Sequence, residues 1–288
     1  MPTSSARPDS FPEEALSDAV SRSVLITQLL SWLGYPASGP TRHVHGPRLR
    51  NREVSLGRER LRVTHAPDYV FVADEVPIWI LDARGGAGSL SDAERHRRLY
   101  AYATHPEVAV KWYALCDGAE LALFDVDDVA PTAKLRVRLT DTVRRWAEIQ
   151  RVLGPRGNVS GRAATPGDLG RHLLRLGLLP DRSFHLTNVA LAHPLIHRSA
   201  DGKRFVLPLS HDLGDRRTVA CLELDAPTLD DLLAPVSSFS AGALAASLAN
   251  GRGHVAPYVG RVSLEVAIGD VPDPRGRVVP LRVERVLR

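Results

Sequence analysis

The stretch that most constrains this chain runs from His65 to Gly86 and reads HAPDYVFVADEVPIWILDARGG. Two apolar segments flank Asp74 and Glu75, a spacing that predicts a β-hairpin. Ile78-Trp79-Ile80-Leu81 has no polar alternation, so the second strand is expected to be covered on both faces. Such a strand belongs inside a layered sheet with elements packed above and below it. A turn centred on Glu75 sets Asp68 opposite Asp82 at the open end of the hairpin, where facing Cβ atoms lie about 4.5–5.5 Å apart. Arg84, two residues past Asp82, projects to the same face.

Two carboxylates that close repel, and each raises the other's pKa unless a cation or a shared proton intervenes. A divalent ion resolves the conflict, and Mg²⁺ (or Mn²⁺) is commonly held by one or two carboxylates with water and phosphate oxygens. Asp68 and Asp82 are therefore the expected metal ligands, and the expected chemistry is phosphodiester hydrolysis.

Helical spacing of apolar residues from Leu16 to Leu33, stopped by Gly34 and Pro36, predicts an opening helix. Ser91 to Glu94 matches a capping box and predicts a helix over Asp92–Thr104. Beyond it, VAVKWYAL and ELALFDV flank Asp117-Gly118, a pair suited to a two-residue hairpin turn. Thr140 is the expected cap of a helix in DTVRRWAEIQRVL. The expected order is α-β-β-α-β-β-α, with an extra strand in RLRV before the hairpin. Residues 1–12 read as a loose arm, 13–153 as the first domain, 154–168 as a Gly- and Pro-rich linker, and 169–288 as a second, smaller, β-rich domain. In that second half FHLTNVAL, RFVLPL, TVACLEL, VSLEVAI and VVPLRVERVL read as strands, with helices around 169–176 and 241–248. The fold class is α/β in the α+β sense, a central mixed sheet flanked by helices.

PDYVF (Pro67 to Phe71), IWILDAR (Ile78 to Arg84), ERHRRLYAYA (Glu94 to Ala103), VKWYALCDGAELALFD (Val110 to Asp125) and WLGYP (Trp32 to Pro36) together resemble the PD-(D/E)XK nuclease core. The variant they are most similar to is the N-terminal nuclease domain of type I restriction enzyme R subunits. The resemblance covers about residues 15–130 and implies a restriction-endonuclease-like fold, DNA as partner, and a place in restriction or anti-phage defence alongside other subunits. Asp68 and Asp82 match the family's metal-binding carboxylates, and Arg84 stands where the family has its catalytic lysine. His96 stands where the family has a glutamine, and Tyr100 follows one turn later; the two would support the site or contact the strand. A guanidinium is broad, planar and never deprotonated, unlike an ammonium, yet it can stabilise a phosphorane electrostatically. The altered positions also allow a second reading, a catalytically degenerate nucleic-acid-binding or regulatory subunit.

Charge is consistent with an anionic partner without requiring one. The net charge is +4, and among 37 basic residues only Lys111, Lys134 and Lys203 are lysine. Between Arg42 and Arg62 seven arginines face two glutamates, and Arg48, Arg50, Arg52, Arg58, Arg60 and Arg62 are the candidate backbone-contacting residues, with Arg95, Arg97 and Arg98 able to extend the surface. The glycine loop Gly85–Gly88 offers backbone amides to phosphate and carries a third, nucleotide-sensing reading. It lacks the P-loop and dinucleotide spacings. His193 and His197 have an i, i+4 spacing, but Pro194 spoils the helix that zinc would need, so they read as loop or strand residues. Cys116 and Cys221 read as buried thiols rather than a disulfide. No apolar run predicts a membrane helix or signal peptide, so the expectation is a cytoplasmic protein; self-association is left open.

Overall fold

The structure, a computed structural model, describes residues 19–56, 59–83, 89–157, 167–178, 182–199, 202–212, 217–235, 253–256, 259–270 and 278–287, with 242, 244, 246 and 248. The expected arm at 1–12, Arg58, Arg84, the Gly85–Gly88 loop and most of the expected linker lie outside the described residues. The chain divides into two compact units, one of residues 1–52 and 63–164, the other of 53–62 and 165–288. No described helix is long and apolar enough to cross a membrane.

The first unit opens with α1 (Ala19–Trp32) and β1 (Thr41–His45). A short hairpin of β2 (Glu53–Leu56) and β3 (Glu59–Arg62), counted with the second unit, interrupts it. There follow β4 (Tyr69–Ala73), β5 (Val76–Asp82), α2 (Ala93–Ala103), β6 (Trp112–Cys116), β7 (Glu120–Asp125), β8 (Ala133–Arg138) and α3 (Trp146–Leu153). The strands form one sheet in the order β1-β4-β5-β6-β7-β8, antiparallel throughout except for β5 and β6. That one parallel pair needs a crossover, and α2 supplies it.

Burial follows the apolar runs. Trp79, Ile80 and Leu81 in β5 are fully covered, as their unbroken pattern predicts. One core groups Leu29 and Leu30 of α1 and the following Leu33 with Phe71, Trp79, Leu123, Val137 and, from α3, Trp146 and Ile149. Phe71 and Trp79 stack at 3.6 Å, and Trp79 Nε1 donates to the hydroxyl of Tyr35, which donates in turn to the Leu153 carbonyl. α2 packs on β5 and β6.

The hairpin register has two parts. At the base Tyr69, Val70 and Phe71 face Leu81, Ile80 and Trp79, the pairing expected from a turn centred on Glu75. A bulge after Phe71 shifts the tip by one, so that Val72 faces Pro77 and Ala73 faces Val76. Asp74 and Glu75 then form the turn, both at positive φ (49° and 63°), a conformation that favours Asn or Gly. Arg42 grips Glu75 through both carboxylate oxygens (2.6 and 2.7 Å).

Three local expectations are corrected. Asp92 rather than Ser91 caps α2, accepting from the N–H groups of Glu94 and Arg95, because Ser91 closes a separate 3₁₀ turn over Ser89–Ser91. Thr140 lies in a 3₁₀ turn, Leu139–Asp141, and α3 begins only at Trp146. β1 and β8, rich in polar and charged residues, are strands at the two edges of the sheet.

The second unit is α+β. After α4 (Leu169–Arg175) come β9 (Phe184–Leu191), β10 (Leu195–Arg198), β11 (Phe205–Asp212), β12 (Arg217–Leu224), α5 (Ala226–Leu233), β13 (His254–Val255), β14 (Gly260–Ile268) and β15 (Leu281–Leu287). Its sheet runs β13-β10-β11-β12-β15-β14-β9, with β15 parallel to β12 and antiparallel to β14. Of the helix expected over 241–248, Gly242, Leu244 and Ala246 are described and are helical. α5 was not expected from sequence; Asp225 caps it and Leu229, Leu232 and Leu233 bury it. Asp168 caps α4, and its carboxylate also accepts from Val279 N–H (2.9 Å). A Cβ on Gly170 would fall 1.9 Å from the Val279 carbonyl oxygen, so that approach requires glycine.

Candidate active site at the base of the hairpin

Asp68 and Asp82 are the residues one step beyond Tyr69 and Leu81, the pair at the hairpin base. Both are buried, Asp82 with only 2% of its surface exposed. Asp68 Oδ2 accepts from the Ala83 N–H at 2.8 Å, so its side chain reaches across to the end of β5. Asp68 thus reaches the end of the strand that carries Asp82, the juxtaposition expected from the hairpin register.

The cation that answers them comes from α2. Arg95 is 7% exposed, and its Nε donates to Asp82 Oδ2 at 2.9 Å. Its Nη2 donates to the carbonyl of Asp82 at 2.8 Å and to that of Cys116 at 3.0 Å. One guanidinium therefore neutralises the carboxylate and ties together the ends of the parallel strands β5 and β6. His65 adds to the positive surroundings: its Nε2 lies 3.4 Å from Asp82 Oδ2, a charge approach when the ring is protonated rather than a formed hydrogen bond. Burial opposes ionisation of Asp82, but His65 and Arg95 outweigh it and hold the carboxyl well below the usual carboxylate range.

Sequence reasoning treated Arg95 as a surface residue and did not single out His65. A signal for Arg95 was present. It is the third residue of α2, where the helix dipole disfavours a cation, so an arginine there calls for an anionic partner from another element.

His96 and Tyr100 both lie in the interior, so they can support the site from beneath rather than touch a bound strand. His96 Nε2 meets the Leu90 carbonyl at 2.8 Å and must donate, so in the neutral ring Nδ1 accepts from the Tyr113 hydroxyl at 3.0 Å. The ring also packs edge-on against Phe124. Beside it opens a cleft of about 850 Å³ lined by Leu90, Ala93, His96, Phe124, Arg136 and Arg138 among others. Both arginines pair with Glu120, so their charge is partly answered within the protein.

The arginine strip is split. Arg48, Arg50 and Arg52 are exposed on the first unit, where Glu107 accepts from the backbone N–H groups of Arg50 and Asn51. Arg60 and Arg62 are exposed on the hairpin counted with the second unit, and Arg60 pairs with Glu53 at 3.0 Å. Arg97 and Arg98 both pair with Glu94 on the outer face of α2. Cys116 is buried, as expected, and Cys221 is half-buried, its thiol pushed up to about 11 by burial and by the nearby Glu223 and Asp168.

The donor set as it stands does not fit a divalent cation. Mg²⁺ at such a site would rely on one or two carboxylates, with waters completing its octahedron, so each free carboxylate oxygen counts. Here Asp82 Oδ2 is taken by a buried guanidinium, and Asp68 Oδ2 holds a backbone N–H. Among the described residues no group of three or more His, Cys, Asp or Glu side chains is arranged to hold a metal. Compared with known proteins, the chain matches no family model, no curated protein and no solved structure.

Proposed function

We propose that the first unit is a restriction-endonuclease-like module that engages DNA through its phosphate backbone without cleaving it, as a nucleic-acid-binding or regulatory subunit of a defence system. Support for the fold reading comes from the element order. Helix, three antiparallel strands, crossover helix and parallel strand (α1, β1, β4, β5, α2, β6) contain the expected hairpin, crossover helix and following strand in order, with the two aspartates at the hairpin base. The observation that carries the loss of cleavage is the Arg95–Asp82 pair, which spends a candidate metal ligand on an internal cation. Exposed arginines at 48, 50 and 52 supply the charge that a phosphate backbone would meet.

A second reading is hydrolysis of DNA with Mg²⁺ or Mn²⁺, which the juxtaposition of Asp68 and Asp82 favours. One experiment separates them. Duplex, plasmid and single-stranded DNA are titrated with protein at several salt concentrations, and the same mixtures are followed for cleavage with Mg²⁺ or Mn²⁺. The expected outcome is salt-dependent binding and intact DNA. Replacing Arg48, Arg50 and Arg52 with glutamine lowers the slope of log affinity against log salt by roughly 0.9 per true phosphate contact. Metal-dependent cleavage that disappears in Asp82→Ala would establish the hydrolytic reading instead.

A further inference from the structure

We infer that Arg95 stands in for the metal: its guanidinium is a built-in counter-ion that excludes a divalent cation from Asp68 and Asp82, and removing its charge opens a site for one. This deepens the reading of a restriction-endonuclease-like site and rests on it.

Three observations converge on that role. The guanidinium is buried, so its charge is poorly screened by solvent and is felt strongly by any neighbouring ion. It is fixed by three hydrogen bonds, two of them to main-chain carbonyls at the ends of β5 and β6, so it cannot swing aside without breaking all three. It also does what a metal would do electrostatically, balancing a carboxylate that the hairpin has taken out of water. A divalent ion arriving beside it would meet like charge a few ångströms away, and one of the two carboxylates would already be compensated.

The exclusion is a property of charge and not of shape, which makes it testable without any nucleic acid. Arg95→Gln keeps amide donors for the two carbonyls but removes the charge, leaving Asp82 in need of a cation. Arg95→Lys keeps the charge. Mn²⁺ binding is read by electron paramagnetic resonance of the free ion and by calorimetry, on wild type, both variants, Asp82→Asn and the Arg95→Gln/Asp82→Asn double variant. The expected result is no Asp82-dependent Mn²⁺ site in wild type or Arg95→Lys. Arg95→Gln gains one by at least about tenfold in affinity, a modest part of what relief from a like charge a few ångströms away is worth at an effective dielectric near 20. The double variant loses it again. Should Arg95→Gln fail to fold, the wild-type and Asp82→Asn titrations still decide. An Mn²⁺ site in wild type that Asp82→Asn abolishes overturns the inference, as does an equal gain in Arg95→Lys and Arg95→Gln. Because the readout is metal binding alone, failure of DNA binding is detected separately and bears only on the function proposed above.

Discussion

Two buried aspartates at structural junctions, Asp82 in the first unit and Asp168 in the second, are held in opposite ways. Asp82, in the first unit, meets a guanidinium and an imidazole, and its carboxyl is held well below the usual range. Asp168, in the second, is 6% exposed and is met chiefly by the backbone N–H groups of Arg171 and Val279. There burial dominates, and the carboxyl is pushed up. Similar burial thus gives opposite shifts, because a formal positive charge at hydrogen-bond distance repays the cost of desolvating a carboxylate while two amide dipoles do not. Asp82 is held as an anion by a formal cation; Asp168 is held mainly as a hydrogen-bond acceptor against the cost of its burial.

The largest effect expected from this contrast is the cost of breaking the charged pair. Asp82→Ala or Arg95→Ala leaves a buried partner unpaired and should cost about 3–5 kcal/mol, whereas replacing both with apolar residues of similar volume should recover most of it. All four tryptophans, Trp32, Trp79, Trp112 and Trp146, belong to the first unit, so urea denaturation followed by tryptophan fluorescence reads that unit alone. A double variant no more stable than either single one would break the comparison on the Asp82 side.

Asp168→Ala removes a helix cap and a tie to Val279, and should cost about 1–2 kcal/mol. Asp168→Asn keeps an acceptor for both amides and should stay within about 1 kcal/mol of wild type, since burial outweighs what the two amides and Arg171 give the charge. Circular dichroism would register these changes with the tryptophan transition unmoved. A loss from Asp168→Asn as large as that from Asp168→Ala would show that the carboxylate charge is needed after all.

The smallest and sharpest test is the sign of the pH dependence. A depressed folded pKa, as at Asp82, contributes stability that is fully present above the ordinary carboxylate pKa and is lost as pH falls through the folded value. A raised one, as at Asp168, penalises the fold progressively as pH rises from the ordinary carboxylate value through the folded one. Relative to wild type, Asp82→Asn should therefore recover as the solution is acidified, while Asp168→Asn should gain as pH rises from about 4, near the unperturbed value. Slopes of the same sign for both variants would remove the contrast.

What the sequence yields and what it hides divide along the range of the interactions. The register at the hairpin base, with Tyr69 facing Leu81, follows from a local turn, and it was readable even though a bulge shifts the tip. The covering of β5 followed from four consecutive apolar residues. Arg95 was misread because its fate depends on where the start of α2 comes down over β5 and β6, a packing event that its own neighbours do not encode. His65 gave no pattern at all, being a single residue in a loop. β1 and β8 were missed because edge strands tolerate charge, so Arg42, Arg136 and Arg138 made them look like loops. α5 was missed because eight residues containing a proline carry too little periodicity to stand out.

The strand order of the second unit sets a schedule for its assembly. β15, the last of its strands along the chain, lies between β12 and β14, and β14 in turn carries β9. Until residues up to Leu287 have been synthesised, β9 and β14 can pair with each other, and β10 to β13 can form their own group, but among the described residues the two groups have no strand to join them. A chain growing from its N-terminus therefore holds two half-sheets with open hydrogen-bonding edges until its latest strand arrives. Closure depends on contacts far apart in sequence, which makes it slow and leaves those edges open to mispairing during synthesis. A nascent chain stalled just before Leu281 would carry a finished first unit and a second unit still in two pieces, so protease sensitivity at that length would be confined to the second unit.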